Sequence, residues 1–179
     1  MINRPARTAL ALAAFLIPPF AVPAEATASG AHGWSWMDRV RWVDAPAPRA
    51  EQLRDRIVLV EFWAADCINC RRTAPAMRAL SALRDSGVVL IGVHTPELED
   101  ERSIATVRRA IADLGITWPV AQDNDYQVWR AFDNHYWPVL YVLDGRGEVR
   151  SRHIGELHVG TPAWDDLLRT LADLRRKNR

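Results

Sequence analysis

The sequence predicts an α/β fold, a central mixed β-sheet flanked by helices, and three observations carry that expectation. Ile57–Trp63 and Val88–His94 are short, almost wholly apolar runs, the pattern of strands covered on both faces. Each is followed by apolar residues at helical spacing. Val139–Leu143 is then joined through Asp144-Gly145-Arg146-Gly147 to a second strand over residues 148–154, which reads as a hairpin.

Taken in order, residues 27–39 read as a flexible lead-in that is small and polar as far as Gly33. Trp34, Trp36, Val40, Trp42 and Val43 mark a short strand or hairpin that extends the sheet at its N-terminal side, the alternation of Val40 and Trp42 fitting a half-buried strand. After the first central strand, Ala76, Met77, Leu80 and Leu83 form the inner side of a helix that Gly87 ends, with a kink expected at Pro75. Ile104, Val107, Ile111 and Leu114 make a second amphipathic helix, stopped by Gly115. A short extended piece over residues 116–121 and a short helix over residues 125–132 precede the hairpin. Thr161-Pro162 opens a last helix with Trp164, Leu167, Leu168, Leu171 and Leu174 on one side.

The chain of 179 residues suits one domain, placed over residues 40–176. With 23 basic and 22 acidic residues the net charge is +1, which carries no footprint of a nucleic-acid or anionic-membrane partner. Arg4 and Arg7, an apolar run over residues 9–20 and the small-residue site Ala24-Glu25-Ala26 read as a cleavable signal peptide over residues 1–26. The apolar run is shorter than the roughly 20 residues that span a bilayer. The expectation is therefore a periplasmic or secreted protein with no membrane insertion after signal cleavage.

The chemistry gathers at Cys67-Ile68-Asn69-Cys70, where a strand feeds a helix. A cysteine at a helix N-terminus meets unpaired backbone N–H groups whose partial positive charge favours the thiolate, the attacking species in disulfide exchange. Cys70, one turn on, is placed to resolve a mixed disulfide formed at Cys67. The ring that the pair closes is too small to stabilise the fold much, which favours a reversible bond over a structural one. Asp66, beside Cys67, opposes thiolate formation by like-charge repulsion. Glu61 is a lone acid inside an apolar strand, where an unpaired carboxylate is costly and tends to stay protonated.

Glu61-Phe62-Trp63-Ala64 before the cysteines, Pro75 within the following helix and Trp137-Pro138 before the hairpin together resemble the thioredoxin-like superfamily. Within it the likeness is to the TlpA/ResA-like branch, especially the soluble redoxin domain of DipZ-type proteins. The phrases that carry it are Cys-Ile-Asn-Cys, Gly92-Val93-His94-Thr95-Pro96-Glu97, Asp123-Asn124-Asp125-Tyr126, Tyr136-Trp137-Pro138 and His153-Ile154-Gly155-Glu156. The resemblance implies a thioredoxin-like fold and thiol-disulfide oxidoreductase activity on protein thiols and disulfides, with no cofactor. It implies that Glu61 passes a proton to or from Cys70, and that Pro138 is cis and lets Trp137 hold an incoming chain. It also implies a reductase role fed by a membrane donor of the DsbD/CcdA type, which must here be a separate protein.

Other readings stand beside these. Trp63 and Trp137 either frame the disulfide as an apolar contact surface or are plain core. His94, ending the second strand near the cysteines, either tunes their pKa or anchors a loop. Glu156 either lines the site or caps a loop. A zinc site from the cysteines with His153 and His158, a Cu(I)-binding metallochaperone using the cysteines with His94 or His135, and a thiol peroxidase are the alternatives.

Overall fold

The structure is a computed structural model that describes residues 33–177 apart from Ala45. The signal peptide expected over residues 1–26, and the lead-in as far as residue 32, lie outside the described residues. Six strands form one sheet in the order β1-β4-β3-β2-β5-β6. They are β1 Arg41–Val43, β2 Ile57–Trp63, β3 Val88–His94, β4 Val120–Gln122, β5 Val139–Leu143 and β6 Val149–Ile154. β2, β3 and β4 run parallel, while β5 pairs antiparallel with β2, β6 with β5, and β1 with β4. The sheet is therefore mixed, and its two central strands are the two most apolar runs of the sequence.

One face is covered by α2 Ile68–Ser81, α3 Ile104–Leu114 and α5 Pro162–Lys177. Alternate residues of the central strands, Ile57, Leu59, Val88 and Leu90, pack there against Met77, Leu80, Leu167 and Leu171. The other face, with Val58, Val60, Phe62, Ile91 and Val93, is covered by α1 Ala50–Leu53, α4 Gln127–Ala131 and a 3₁₀ turn at Ser35–Arg39. Here the structure departs from the expected flexible stretch to residue 39. Trp36 and Met37 are buried, and Trp36 meets Phe132 edge-to-face at 5.8 Å, so burial of large apolar side chains fixes residues 35–39 to the domain.

Local chemistry accounts for the boundaries near the site. Gly115 ends α3 in the left-handed conformation, at φ +63°. α2 runs through Pro75 and ends at Ser81; a 3₁₀ turn, Arg84–Ser86, then leads to Gly87. Asp123 caps α4, its carboxylate accepting the backbone N–H groups of Gln127 at 2.8 Å, Val128 at 3.2 Å and Trp129 at 2.8 Å. Burial still holds the Asp123 carboxyl above the usual range. The Trp137-Pro138 peptide is cis. No helix among the described residues is long and apolar enough to cross a membrane.

Candidate active site

β2 delivers the chain from the sheet centre to the start of α2, and Cys67 is the residue that caps this helix. Its Sγ accepts the backbone N–H of Cys70 at 3.2 Å, one of the donors a helix start leaves without a carbonyl partner. Cys67 and Cys70 are joined as a disulfide, with Cα atoms 5.3 Å apart. Both are largely covered, Cys67 at 7% and Cys70 at 2% exposed.

The two sulfurs open on different spaces. Cys67 lines an outer groove of about 360 Å³ together with Asp66, Ile68, Asn69, Glu97, Leu98 and Trp137. Ile68 and Leu98 of its lining stand more than half exposed, an apolar rim suited to contact with another chain. Cys70 lines an inner crevice of about 10 Å³ with Glu61, Trp63, Ala74, Leu114, Ile116 and Trp118.

Glu61 lies mid-strand, paired across the backbone with Gly92 of β3 and Leu140 of β5. It is buried, and desolvation pushes its carboxyl up to about 8. At neutral pH it is mostly protonated and placed beside Cys70. The expected buried acid is therefore present, and it shares a space with the second cysteine rather than the first.

Trp137 packs on Trp129 with ring centroids 4.2 Å apart and donates its indole N–H to the Thr95 carbonyl at 3.0 Å. These contacts hold its half-buried ring at the groove. Trp63 is different: at 1% exposed, with its ring edge-on to His94 at 4.9 Å, it is interior and leaves no surface for a partner. The expectation that it frames an external contact surface is corrected on that burial.

His94 is fully buried, and neither ring nitrogen makes a hydrogen bond within the protein. Desolvation lowers its pKa to about 4 against the opposing pull of Glu101, so at neutral pH it carries no charge with which to favour a thiolate. Its backbone carbonyl accepts the Asp123 N–H at 2.8 Å, which joins the ends of β3 and β4. Asp66 is exposed and lines the groove beside Cys67.

Sequence reasoning missed Glu101. It stood in an acidic run, Glu99-Asp100-Glu101, that reads as a solvated loop, yet its side chain is fully buried. One carboxylate oxygen accepts the Asp66 N–H at 2.7 Å; the other accepts those of Glu97 at 2.5 Å and Leu98 at 3.1 Å. One acid thus ties the two walls of the groove together.

Glu156 accepts from Arg72 of α2 at 3.1 Å and pairs with His158 at 2.8 Å, while the His153 ring meets the Glu156 carbonyl at 3.0 Å. The His158 hydrogen bond, and after it that of Arg72, hold its carboxyl below the usual range. Both histidines of the zinc alternative are thus engaged with Glu156. Among the described residues no three His, Cys, Asp or Glu side chains form a group able to hold a metal ion.

The sheet order and the disulfide at a helix tip define a protein of the thioredoxin-like class. The chain belongs to the AhpC/TSA family, whose model matches residues 46–152. It is similar to protein DipZ of Mycobacterium tuberculosis, 41% identical over 119 residues, which is 64% of this chain and 17% of DipZ. The chain therefore spans about a sixth of the length of that relative. The thiol-disulfide oxidoreductase YkuV of Bacillus subtilis is 26% identical over 114 residues, 64% of this chain and 77% of YkuV. Among solved structures, a thiol-disulfide isomerase from Corynebacterium glutamicum shares the fold at a TM-score of 0.61 and 24% identity, over 75% of this chain and 91% of that one.

Proposed function

We propose that this chain is an exported reductase of protein disulfides, acting through Cys67 and Cys70 and recharged by a separate membrane electron donor of the DsbD/CcdA type. The observation that carries the reading is the division of one disulfide between two spaces: Cys67 on the open groove, Cys70 on the inner crevice with a buried, protonatable Glu61. Attack and proton transfer are separate tasks, and each sulfur sits where one of them is done.

In the reduced protein Cys67, favoured as thiolate by the α2 N-terminus, attacks one sulfur of a partner disulfide. The partner's other sulfur leaves as a thiolate, and a mixed disulfide remains in the groove. Glu61 in its ionised form, the minority at neutral pH, takes the Cys70 proton, and the Cys70 thiolate attacks Cys67 Sγ. The second partner sulfur departs, and two electrons have passed from the pair to the partner. Trp137 and Pro138 hold the partner chain against the groove, a role supported by the position of Trp137 on its wall. Asp66 restrains Cys67 acidity, which suits a reductant more than a strong oxidant. Export rests on the leader-like residues 1–26, and the membrane donor on the likeness to DipZ-type proteins.

Trapping tests the reading. Cys70→Ser should accumulate a mixed disulfide with a reducible protein such as insulin, and Cys67→Ser should form none. Equal trapping by the two variants would overturn the assignment of roles. Peroxide consumption that survives Cys70→Ser would mark a thiol peroxidase instead.

A further inference from the structure

Asp66 and Glu97 both line the outer groove, one on each wall, and a single buried group fixes the backbone of both. Glu101 Oε1 accepts the Asp66 N–H at 2.7 Å, and Glu101 Oε2 accepts the Glu97 N–H at 2.5 Å. The two side chains take no part in that arrangement. Both are exposed, and neither makes a hydrogen bond or ion pair among the described residues. Glu99, two residues beyond Glu97, is different: its carboxylate is spent on Arg102 at 2.9 Å.

Among the described residues no cation lines the groove to answer the two acids, since its other lining residues are Cys67, Ile68, Asn69, Leu98 and Trp137. The Arg71 guanidinium goes instead to the Ala65 carbonyl at 3.3 Å. Behind both walls Glu101 adds a third carboxylate, whose hydrogen-bond donors are neutral backbone amides. Charges of one sign held along a partly apolar surface raise the local concentration of the opposite sign.

Such a surface fits a side chain with an apolar stem and a positive tip. Lys and Arg have both: methylenes that pack along Ile68, Leu98 and Trp137, and a head that reaches a carboxylate. A side chain carrying a carboxylate meets repulsion from both walls. The groove also opens on Cys67, so a cation seated there belongs to the chain whose sulfur is attacked.

We propose that Asp66 and Glu97 are specificity-determining residues, which select among protein disulfides those with a Lys or Arg side chain beside the half-cystine that Cys67 attacks. This rests on the reduction of protein disulfides proposed above and names the class of partner. Because Glu101 holds both backbones in place before a partner arrives, less ordering is left for docking. Anionic disulfides are disfavoured by the same two charges.

Two symmetric peptide disulfides that differ only in carrying Lys or Glu beside each cysteine test this, each rate being divided by that peptide's rate with dithiothreitol. At about 0.02 M ionic strength the reduced protein should react with the Lys peptide on the order of tenfold faster than with the Glu peptide. The ratio should shrink to about twofold at about 0.5 M. Asp66→Asn alters Cys67 toward both peptides alike and so cancels from the ratio; combined with Glu97→Gln it should bring the ratio to about one. A parent that treats the peptides alike at low salt, or a preference that survives in the double variant, overturns the proposal. Docking is also read without exchange, by titrating the oxidised protein with the same peptides carrying serine for cysteine and following the Trp137 indole N–H resonance. The Lys peptide should shift it at concentrations several-fold lower, and equal titrations overturn the proposal. Titrations that discriminate while neither disulfide is reduced would overturn the redox reading and leave the selectivity of the groove standing.

Discussion

The buried Glu101 carboxylate accepts the backbone N–H of Asp66 at 2.7 Å across 35 positions of sequence, and with its other oxygen it holds Glu97 and Leu98 on the far wall of the groove. Hydrogen bonds to a charged acceptor contribute about 1.5–3 kcal/mol each, and the Glu101 carboxylate accepts three of them. Glu101→Ala should therefore lower unfolding stability by more than about 3 kcal/mol, read from the urea midpoint at unchanged m-value. Glu101→Gln, which offers one oxygen where the carboxylate offers two, should fall between.

Glu61 should give stability a negative slope with pH. Its carboxyl sits at about 8 in the folded chain against an ordinary 4.5, so above pH 4.5 unfolding releases a proton. Its contribution is full below 4.5, is lost as pH rises, and is gone above about 8, a span on the order of 4 kcal/mol. Glu61→Gln should flatten denaturation midpoints between pH 6.5 and 8 while slowing resolution of the mixed disulfide. A slope that persists in the variant would contradict the burial of an uncompensated acid.

His94 acts in the opposite direction and over a different window. Its folded pKa of about 4 lies below the ordinary 6.5, so stability is present above 6.5 and is lost as pH falls toward 4. His94→Phe, an apolar ring of similar shape, should remove that acid sensitivity, measured as the difference in urea midpoint between pH 7 and pH 5. Between 4.5 and 6.5 the two residues oppose each other, so each is cleanest in its own variant.

Much of the fold was legible in local pattern. The limits of β2, β3 and α3 follow from periodicity and glycine stops alone, because burial on both faces or on one stripe leaves a direct mark on the sequence. The cysteine pair and Glu61 were legible for the same reason: a charge in an apolar strand is conspicuous. Glu101 was not, since its three partners come from two separate loops and it stands among exposed acids. Trp63 illustrates the converse error, an aromatic beside the cysteines that turns inward to His94.

Asp66 should act on reactivity rather than on folding. It is exposed and adjacent to Cys67, so solvent screening limits its repulsion of the thiolate. Asp66→Asn should raise Cys67 alkylation at neutral pH by about 2–5-fold with no change in unfolding midpoint.

Trp137 should separate recognition from chemistry. With its ring on Trp129 and its N–H on Thr95, it forms groove wall without touching the inner crevice. Trp137→Ala should raise KM for a protein disulfide about tenfold or more and leave reduction by a small dithiol within about twofold.

The central claim is that Cys67 and Cys70 exchange two electrons reversibly and sit reduced enough to donate them. Equilibration of the domain in graded dithiothreitol buffers, with the thiols quantified at each step, measures this directly. We predict a single two-electron transition with a midpoint near the roughly −270 mV of thioredoxin. A midpoint near the roughly −120 mV of DsbA, or a pair that never equilibrates with the buffer, would contradict it.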